Sequence, residues 1–298
     1  MNYHKPVLLN ESLDSLEIRG NGVYVDMTYG GGGHSREILN RLGSNGKLIA
    51  FDQDLDSQSN IIDDERLIFF RQNNIFLMQT LEYLKIRKVD GILADLGVSS
   101  HQLDKKNRGF SFHPGYKLDM RMNQNQNLDA IQVINNYSES ELSNLFYLNG
   151  DLKNSKKIAN KICKERENKK ITMSNDLNYV LETFFSANTK NSFLARVYQS
   201  IRIEVNKELE SLKEILIQSK NLLSKNGIMS VITYHSAEDR LVKRFFKNGC
   251  FDQEPVKDEF GNFSNPFKLK FHFLKPKESE LKLNKRSRSA KLRSAIKL

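Results

Sequence analysis

Cysteine is scarce in this chain, long apolar runs are missing, and no histidine or cysteine falls at a metal-binding spacing. The two cysteines, Cys163 and Cys250, cannot build a disulfide framework and form no CxxC or Cys/His zinc pattern. His101 and His113 lack metal-ligand partners at plausible spacing, so no catalytic metal is expected. The opening Met1-Asn2-Tyr3-His4-Lys5-Pro6 does not read as a secretory leader. No apolar stretch approaches the roughly 20 residues that cross a bilayer. Secreted, membrane and zinc-finger classes are thereby excluded, and a cytoplasmic protein of a reducing compartment is expected.

What is present is 298 residues, 39% hydrophobic and 28% charged, enough apolar material for a real core. At roughly 150 residues per domain, that length suits one large domain or a core carrying an insertion. The net charge of +10 is unevenly spread: residues 153–170 carry +6 and residues 275–298 carry +7, which leaves the rest at −3. Two basic segments beside a near-neutral body point to a polyanion surface. The alternative is a solvated helix face and a basic tail in a composition rich in lysine and asparagine.

Apolar patterning divides the chain. Val23–Asp26, Lys47–Asp52, Arg66–Phe70 and Val89–Asp95 are β-type runs, with helical spacing over His34–Leu42 and Ile75–Leu84. Strand alternating with helix predicts an α/β, doubly wound parallel core. Leu96–Asn127 is polar and turn-rich, and residues 128–194 are nearly all helical, with Ser138 and Ser174 placed as N-caps. A helix is expected over Glu204–Leu223, then strands over Ile228–Tyr234 and Lys268–Leu274. The domain plan is therefore a core over 1–104, an inserted helical substrate-recognition domain over 105–197, and a second core segment over 198–298 ending in a basic tail.

The run Gly30-Gly31-Gly32-Gly33 follows the first strand and opens a helix, where glycine lets backbone N–H groups approach a ligand. Asp52 lies 19 residues beyond Gly33 at the end of the next strand, placed to accept from both hydroxyls of a ribose. No P-loop is present, because Gly43-Ser44-Asn45-Gly46-Lys47-Leu48 lacks its spacing and its hydroxyl. Asp26 and Asp95 also end strands. Three acidic strand ends suit a cofactor with an amine, a ribose and no phosphate, which describes S-adenosylmethionine. Acidic strand ends also occur in hydrolases, and the glycine loop alone would admit a nicotinamide oxidoreductase.

Several motifs say more. His4-Lys5-Pro6-Val7-Leu8-Leu9, Asp26-Met27-Thr28-Tyr29 with the glycine run and His34-Ser35, and Asp95-Leu96-Gly97-Val98-Ser99-Ser100 occur in order. Arg108-Gly109-Phe110-Ser111-Phe112, Leu118-Asp119-Met120-Arg121-Met122, Tyr234-His235-Ser236-Ala237-Glu238-Asp239-Arg240 and Arg286-Ser287-Arg288-Ser289-Ala290-Lys291-Leu292-Arg293 follow. Together they resemble the MraW family, bacterial 16S rRNA cytosine-N4-methyltransferases, from residue 4 to residue 293. The resemblance implies a Rossmann-like S-adenosylmethionine-dependent methyltransferase core with a helical insertion. It also implies a cytidine of the decoding centre as target and the assembled small ribosomal subunit as partner. It places cofactor contacts on Gly32, Gly33 and His34, the ribose on Asp52, and Asp95 and Gln102 around the adenine and the transfer site. The family's usual aromatic after the third strand is replaced by Asn74, with Phe76 nearby, and Ala237 stands where leucine is usual.

Cytosine's exocyclic nitrogen is a poor nucleophile, so such a site must hold it in line and offer acceptors to its N–H groups. Asp95, Ser99 and His235 are the catalytic candidates, His235 alternatively being a helix cap. Phe110 and Phe112 are candidates for stacking on an extruded base, or for core. Asp119, Arg121, Asp239 and Arg240 are candidates for contact with the base or RNA, or for ordinary ion pairs. Arg286, Arg288, Lys291 and Arg293 interleave with small residues, a pattern suited to phosphate contact, so removal of residues 284–298 is expected to spare cofactor binding. Two further alternatives are a non-catalytic assembly factor and a DNA amino-methyltransferase. The oligomeric state stays open, a homodimer included.

Overall fold

The computed structural model describes residues 6–251 and 265–298; His4 and Lys5 of the first motif lie outside them. The chain divides into two compact units, Met1–Gly97 with Leu209–Leu298, and Val98–Glu208. The first unit opens with α1 (Leu9–Leu16), β1 (Val23–Asp26), α2 (Gly33–Arg41), β2 (Lys47–Phe51), β3 (Leu67–Phe70), α3 (Leu77–Tyr83) and β4 (Val89–Asp95). The second unit holds α4 (Ser100–Asp104), α5 (Ala130–Asn136), α6 (Glu139–Gly150), α7 (Ser155–Asn168), α8 (Ser174–Val180) and α9 (Lys190–Asn206). After it come α10 (Glu208–Leu222), β5 (Leu223–Thr233), α11 (Ser236–Asn248), β6 (Phe267–Leu274), α12 (Glu278–Leu283) and β7 (Lys291–Lys297).

The strands form one sheet in the order β3-β2-β1-β4-β5-β7-β6. The first five are parallel, and β7 runs antiparallel between β5 and β6. Val25, Ile49, Ile92 and Val231 pack with Phe245, Phe246 and Phe267 in one apolar cluster, while Tyr24, Leu48 and Leu93 pack with Leu13 and Leu16 in another. A sheet covered on both faces needs near-continuous apolar strands, as its central members have. This is the Rossmann-like α/β core expected from the strand–helix alternation. The strand order reverses at β1, so a crevice opens beyond the C-terminal ends of β1 and β4.

The C-terminal segment is not a tail. Ile228 to Thr233 of β5 pair with Ile296 to Lys291, and β6 completes the other side, so β7 is an interior strand. Basic composition hid it, because Lys291 and Arg293 alternate with Leu292 and Ser294 as strand residues do. Deleting 284–298 would strip β5 and β6 of their shared partner, so the expectation that this truncation spares cofactor binding does not stand.

The second unit spans Val98–Glu208, where the sequence suggested 105–197. Its early boundary includes α4, which lies in the segment taken from sequence as turn-rich loop. Its late boundary follows α9, which continues to Asn206. The helix expected over Glu204–Leu223 is two helices, broken at Lys207, whose φ of 52° is left-handed. Within the unit, Leu118, Met120, Val133, Leu142, Phe146, Ile158 and Leu194 share one core. Ser138 caps α6 through a capping box with Glu141, while α8 is capped at Met173, one residue before Ser174. Among the described residues no helix is long and apolar enough to cross a membrane.

Candidate active site

Strand register brings three carboxylates to one end of the sheet. Asp26 ends β1 opposite Ala50 of β2 and Leu93 of β4, and Asp52 and Asp95 each lie two residues beyond those partners. The loop after β1 turns through Gly30 (φ +52°) and Gly32 (φ +74°), and the Gly32 N–H donates to the Tyr29 carbonyl at 2.8 Å. A Cβ at Gly32 would stand 2.7 Å from the Tyr29 hydroxyl, so only glycine fits. Gly33 then opens α2, whose N-terminal dipole favours negative charge on a ligand.

Each carboxylate has a distinct task in the fold. Asp26, 1% exposed, accepts from the Thr28 N–H at 3.0 Å and the Ser35 hydroxyl at 2.6 Å, which ties the loop to the start of α2. Asp52 accepts from Gly30 N–H and Asp54 N–H, both at 2.8 Å. Asp95 accepts from the Tyr234 hydroxyl at 2.8 Å, and its own N–H donates to Thr28 Oγ1 at 2.7 Å. His34 Nε2 donates to the Val7 carbonyl at 3.1 Å, and its Nδ1 stands 3.7 Å from Asp95 Oδ2.

Among the described residues no lysine or arginine pairs with any of the three. Burial therefore raises the Asp26 carboxyl above its ordinary value and lifts those of Asp52 and Asp95 to about 6. Such a group welcomes positive charge and repels phosphate, which disfavours a pyrophosphate cofactor. A carboxylate offers about four lone-pair sites, so Asp52 can hold its two backbone donors and still accept from vicinal hydroxyls. The donor set fits a cationic, ribose-bearing, phosphate-free ligand.

Asn74 follows β3, and its amide donates to the Met27 carbonyl at 3.1 Å, steadying the backbone just past β1. His235 caps α11, its Nδ1 accepting from the Glu238 N–H at 3.4 Å while Glu238 accepts from the His235 and Tyr234 N–H groups. That is the capping alternative for His235. Asp239 does not stand as a base contact: it holds Arg293 Nε at 2.7 Å and Lys291 Nζ at 3.1 Å. Arg293 is 3% exposed and also donates to the His272 carbonyl, so the expectation that it meets phosphate is corrected. Arg240, Arg286 and Arg288 are exposed.

The remaining candidates belong to the second unit. Ser99 caps α4, its hydroxyl accepting from the Gln102 N–H at 3.2 Å while Gln102 Oε1 accepts from the Ser99 N–H at 2.9 Å. Phe110 is 5% exposed in the unit's core with Arg108 over its ring, so it is not free to stack on a base. Phe112 is half-buried and meets Tyr198 edge-on. Arg121 grips Asp119 through two N–H groups at 2.9 and 2.8 Å and donates to the Gln126 carbonyl, so the pair clamps its own loop.

Thr28 and Tyr234 went unassigned from sequence although both lie inside quoted motifs. Their roles depend on β1 and β5 flanking β4, which sequence alone does not reveal.

The MraW methylase family profile matches residues 1–298. A ribosomal RNA small subunit methyltransferase H of Christiangramia forsetii is 51% identical over 298 residues, covering 100% of this chain and 99% of that protein. The protein of the same name from Flavobacterium johnsoniae is 50% identical with the same coverage of each chain. The one from Bacteroides fragilis is 48% identical over 296 residues, 99% of this chain and 97% of that protein.

Proposed function

Because the chain belongs to the MraW methylase family, it is a methyltransferase, and we propose that its acceptor is the exocyclic N4 of a cytidine in the decoding centre of 16S rRNA. The donor is S-adenosylmethionine, and the product is N4-methylcytidine. One observation supports this assignment: three carboxylates, one buried and two half-buried, stand without a lysine or arginine partner around a glycine loop at the switch point of the sheet.

When bound, the cofactor supplies an electrophilic methyl group on a sulfonium. Asp52 would hold the ribose, Gly32, Gly33 and His34 the loop side, and Asp26 and Asp95 the positive field. Asn74 acts through Met27, whose carbonyl it holds. Gln102 and Ser99 order the start of α4, directly after the segment that carries Asp95.

The cytosine amine keeps its lone pair in the ring until an acceptor on its N–H groups favours pyramidal geometry. Asp95 is that acceptor. A strong base is unnecessary, because the methylated nitrogen is far more acidic than the free amine. Phe112 remains the aromatic candidate for the extruded base. RNA backbone is held by the lysines of residues 153–170 together with Arg240, Arg286 and Arg288, with the assembled small subunit as substrate in the cytoplasm.

The test uses small subunits from a strain lacking this gene, incubated with the protein and methyl-labelled S-adenosylmethionine, then digested to nucleosides. Label in N4-methylcytidine is expected. Cofactor binding without label on subunits would move the substrate to DNA. Loss of both would return the protein to the assembly-factor class.

A further inference from the structure

We propose that Tyr234 is a positioning residue for methyl transfer, fixing the Asp95 carboxylate so that Oδ2 alone is presented to an incoming N–H. This rests on the assignment of Asp95 to the transfer site. Tyr234 follows β5, the strand beside β4, and its hydroxyl donates to Asp95 Oδ1 at 2.8 Å. Its backbone is held in turn, because the Tyr234 N–H donates to Glu238 Oε2 at 2.8 Å. The ring lies against the backbone that leaves Asp95, since a Cβ on Gly97 (φ +91°) would meet Tyr234 Cδ2 at 3.5 Å.

The consequence for Asp95 is geometric. Its N–H is committed to Thr28 Oγ1 and one carboxylate oxygen to Tyr234, so rotation of the carboxylate costs a hydrogen bond. The other oxygen, Oδ2, faces His34 Nδ1 at 3.7 Å. A carbonyl only accepts, so His34 Nε2 carries the proton given to Val7, and Nδ1 is the ring nitrogen turned to Asp95. Oδ2 is thus the Asp95 oxygen that Tyr234 leaves for a ligand N–H. The Tyr234 hydroxyl cannot also donate to Oδ2, because its only proton is spent on Oδ1. Burial beside Asp95 and Glu238 keeps that phenol protonated well beyond the ordinary tyrosine range.

The charged groups that face Asp95 are His34 from α2, Asp26 from β1 and Glu238 from α11, with the Tyr234 hydroxyl. Of these, His34 and Tyr234 favour the ionised carboxylate. Removing the hydroxyl therefore raises the pH at which Asp95 ionises.

The experiment measures subunit methylation against pH for wild type, Tyr234→Phe and Asp95→Asn, with thermal melts and calorimetric binding of S-adenosylmethionine alongside. Tyr234→Phe keeps the ring on Gly97 and removes one donor. Its acid limb is expected to move up by about one pH unit, with activity about threefold down at pH 6.5 and recovering above pH 8. A loss that is uniform across pH, or an unmoved acid limb, would overturn the proposal and leave Tyr234 a packing residue. Should Tyr234→Phe fail to fold, 3-fluorotyrosine at the same position, a stronger donor, is expected to move the limb downward, and no shift there overturns the proposal as well. Wild-type methylation by Asp95→Asn would instead remove Asp95 from the site, an outcome distinct from failure of Tyr234 alone.

Discussion

Asp239 and Asp95 are half-buried carboxylates of the same unit treated in opposite ways. Asp239 meets Arg293 and Lys291, and those cations hold its carboxyl below the ordinary aspartate range. Asp95 meets a phenol and a distant imidazole, and burial holds it at about 6. The second unit repeats the first pattern, with Asp119 matched by Arg121 and its carboxyl likewise lowered. Charge matched inside the chain serves the fold. Charge left unmatched at a strand end costs stability in the apo protein and is kept because a ligand completes it.

The largest effect separates these two kinds directly. Asp239→Ala leaves the Arg293 guanidinium buried without its carboxylate in the middle of the β5–β7 pairing, and is expected to cost about 3–5 kcal/mol in denaturant unfolding. Asp95→Asn removes an uncompensated charge, so it should leave stability unchanged or raise it. Its loss appears in turnover, about ten- to a hundredfold in kcat/KM for subunit methylation, the worth of one charge-assisted hydrogen bond. If Asp95→Asn melts the protein as Asp239→Ala does, the distinction between matched and reserved charge is wrong.

Acidity gives a second, smaller separation. Asp52 and Asp95 ionise near 6 when folded and near 3.8 when unfolded, so between those values the folded state binds more protons. The apo protein is therefore expected to lose stability as pH rises from 5 to 7, about 1 kcal/mol for each group. Asp239 works with the opposite sign: its lowered carboxyl contributes stability that is present above the unfolded value and lost only as pH falls toward its folded value. Melts of wild type and Asp95→Asn at pH 5 and 7 check this, the variant losing part of the dependence. Affinity for S-adenosylmethionine should run the other way and weaken below pH 6, as the carboxylates protonate.

The reserved carboxylates were legible before the fold because each ends a short β run and the glycines mark the loop. Strand ends are local features. The Asp119–Arg121 match was among the sequence alternatives, but the partners of Asp239 were not legible, because it pairs with residues more than 50 positions away on a strand whose basic composition imitates a tail. Phe110 shows the same limit, since Phe-Ser-Phe alternation fits an exposed stacking edge and a core strand equally well. The break at Lys207 leaves no mark in sequence, for a lysine in left-handed conformation is permitted by its surroundings rather than announced by its type. Tyr234 required the strand order that sets β5 beside β4.

The smallest effect concerns unmatched charge of the other sign. In the second unit, Lys153, Lys156 and Lys157 line a concavity with Tyr147, Asn144 and Asn154, and among the described residues none of the three meets a carboxylate. Lys161 and Lys169, on the same basic segment, are paired with Glu165 and Asp176. If unmatched charge marks a ligand surface, the first three lysines hold RNA phosphate and the paired two do not. Each phosphate contact adds about 0.7 to 0.9 to the slope of log affinity against log salt. Alanine at Lys153, Lys156 and Lys157 together should therefore flatten the salt dependence of subunit binding by about 2, while alanine at Lys161 and Lys169 changes it little. Equal flattening by both sets would mean that total charge, rather than its pairing, directs the RNA, and the comparison would then hold for carboxylates alone.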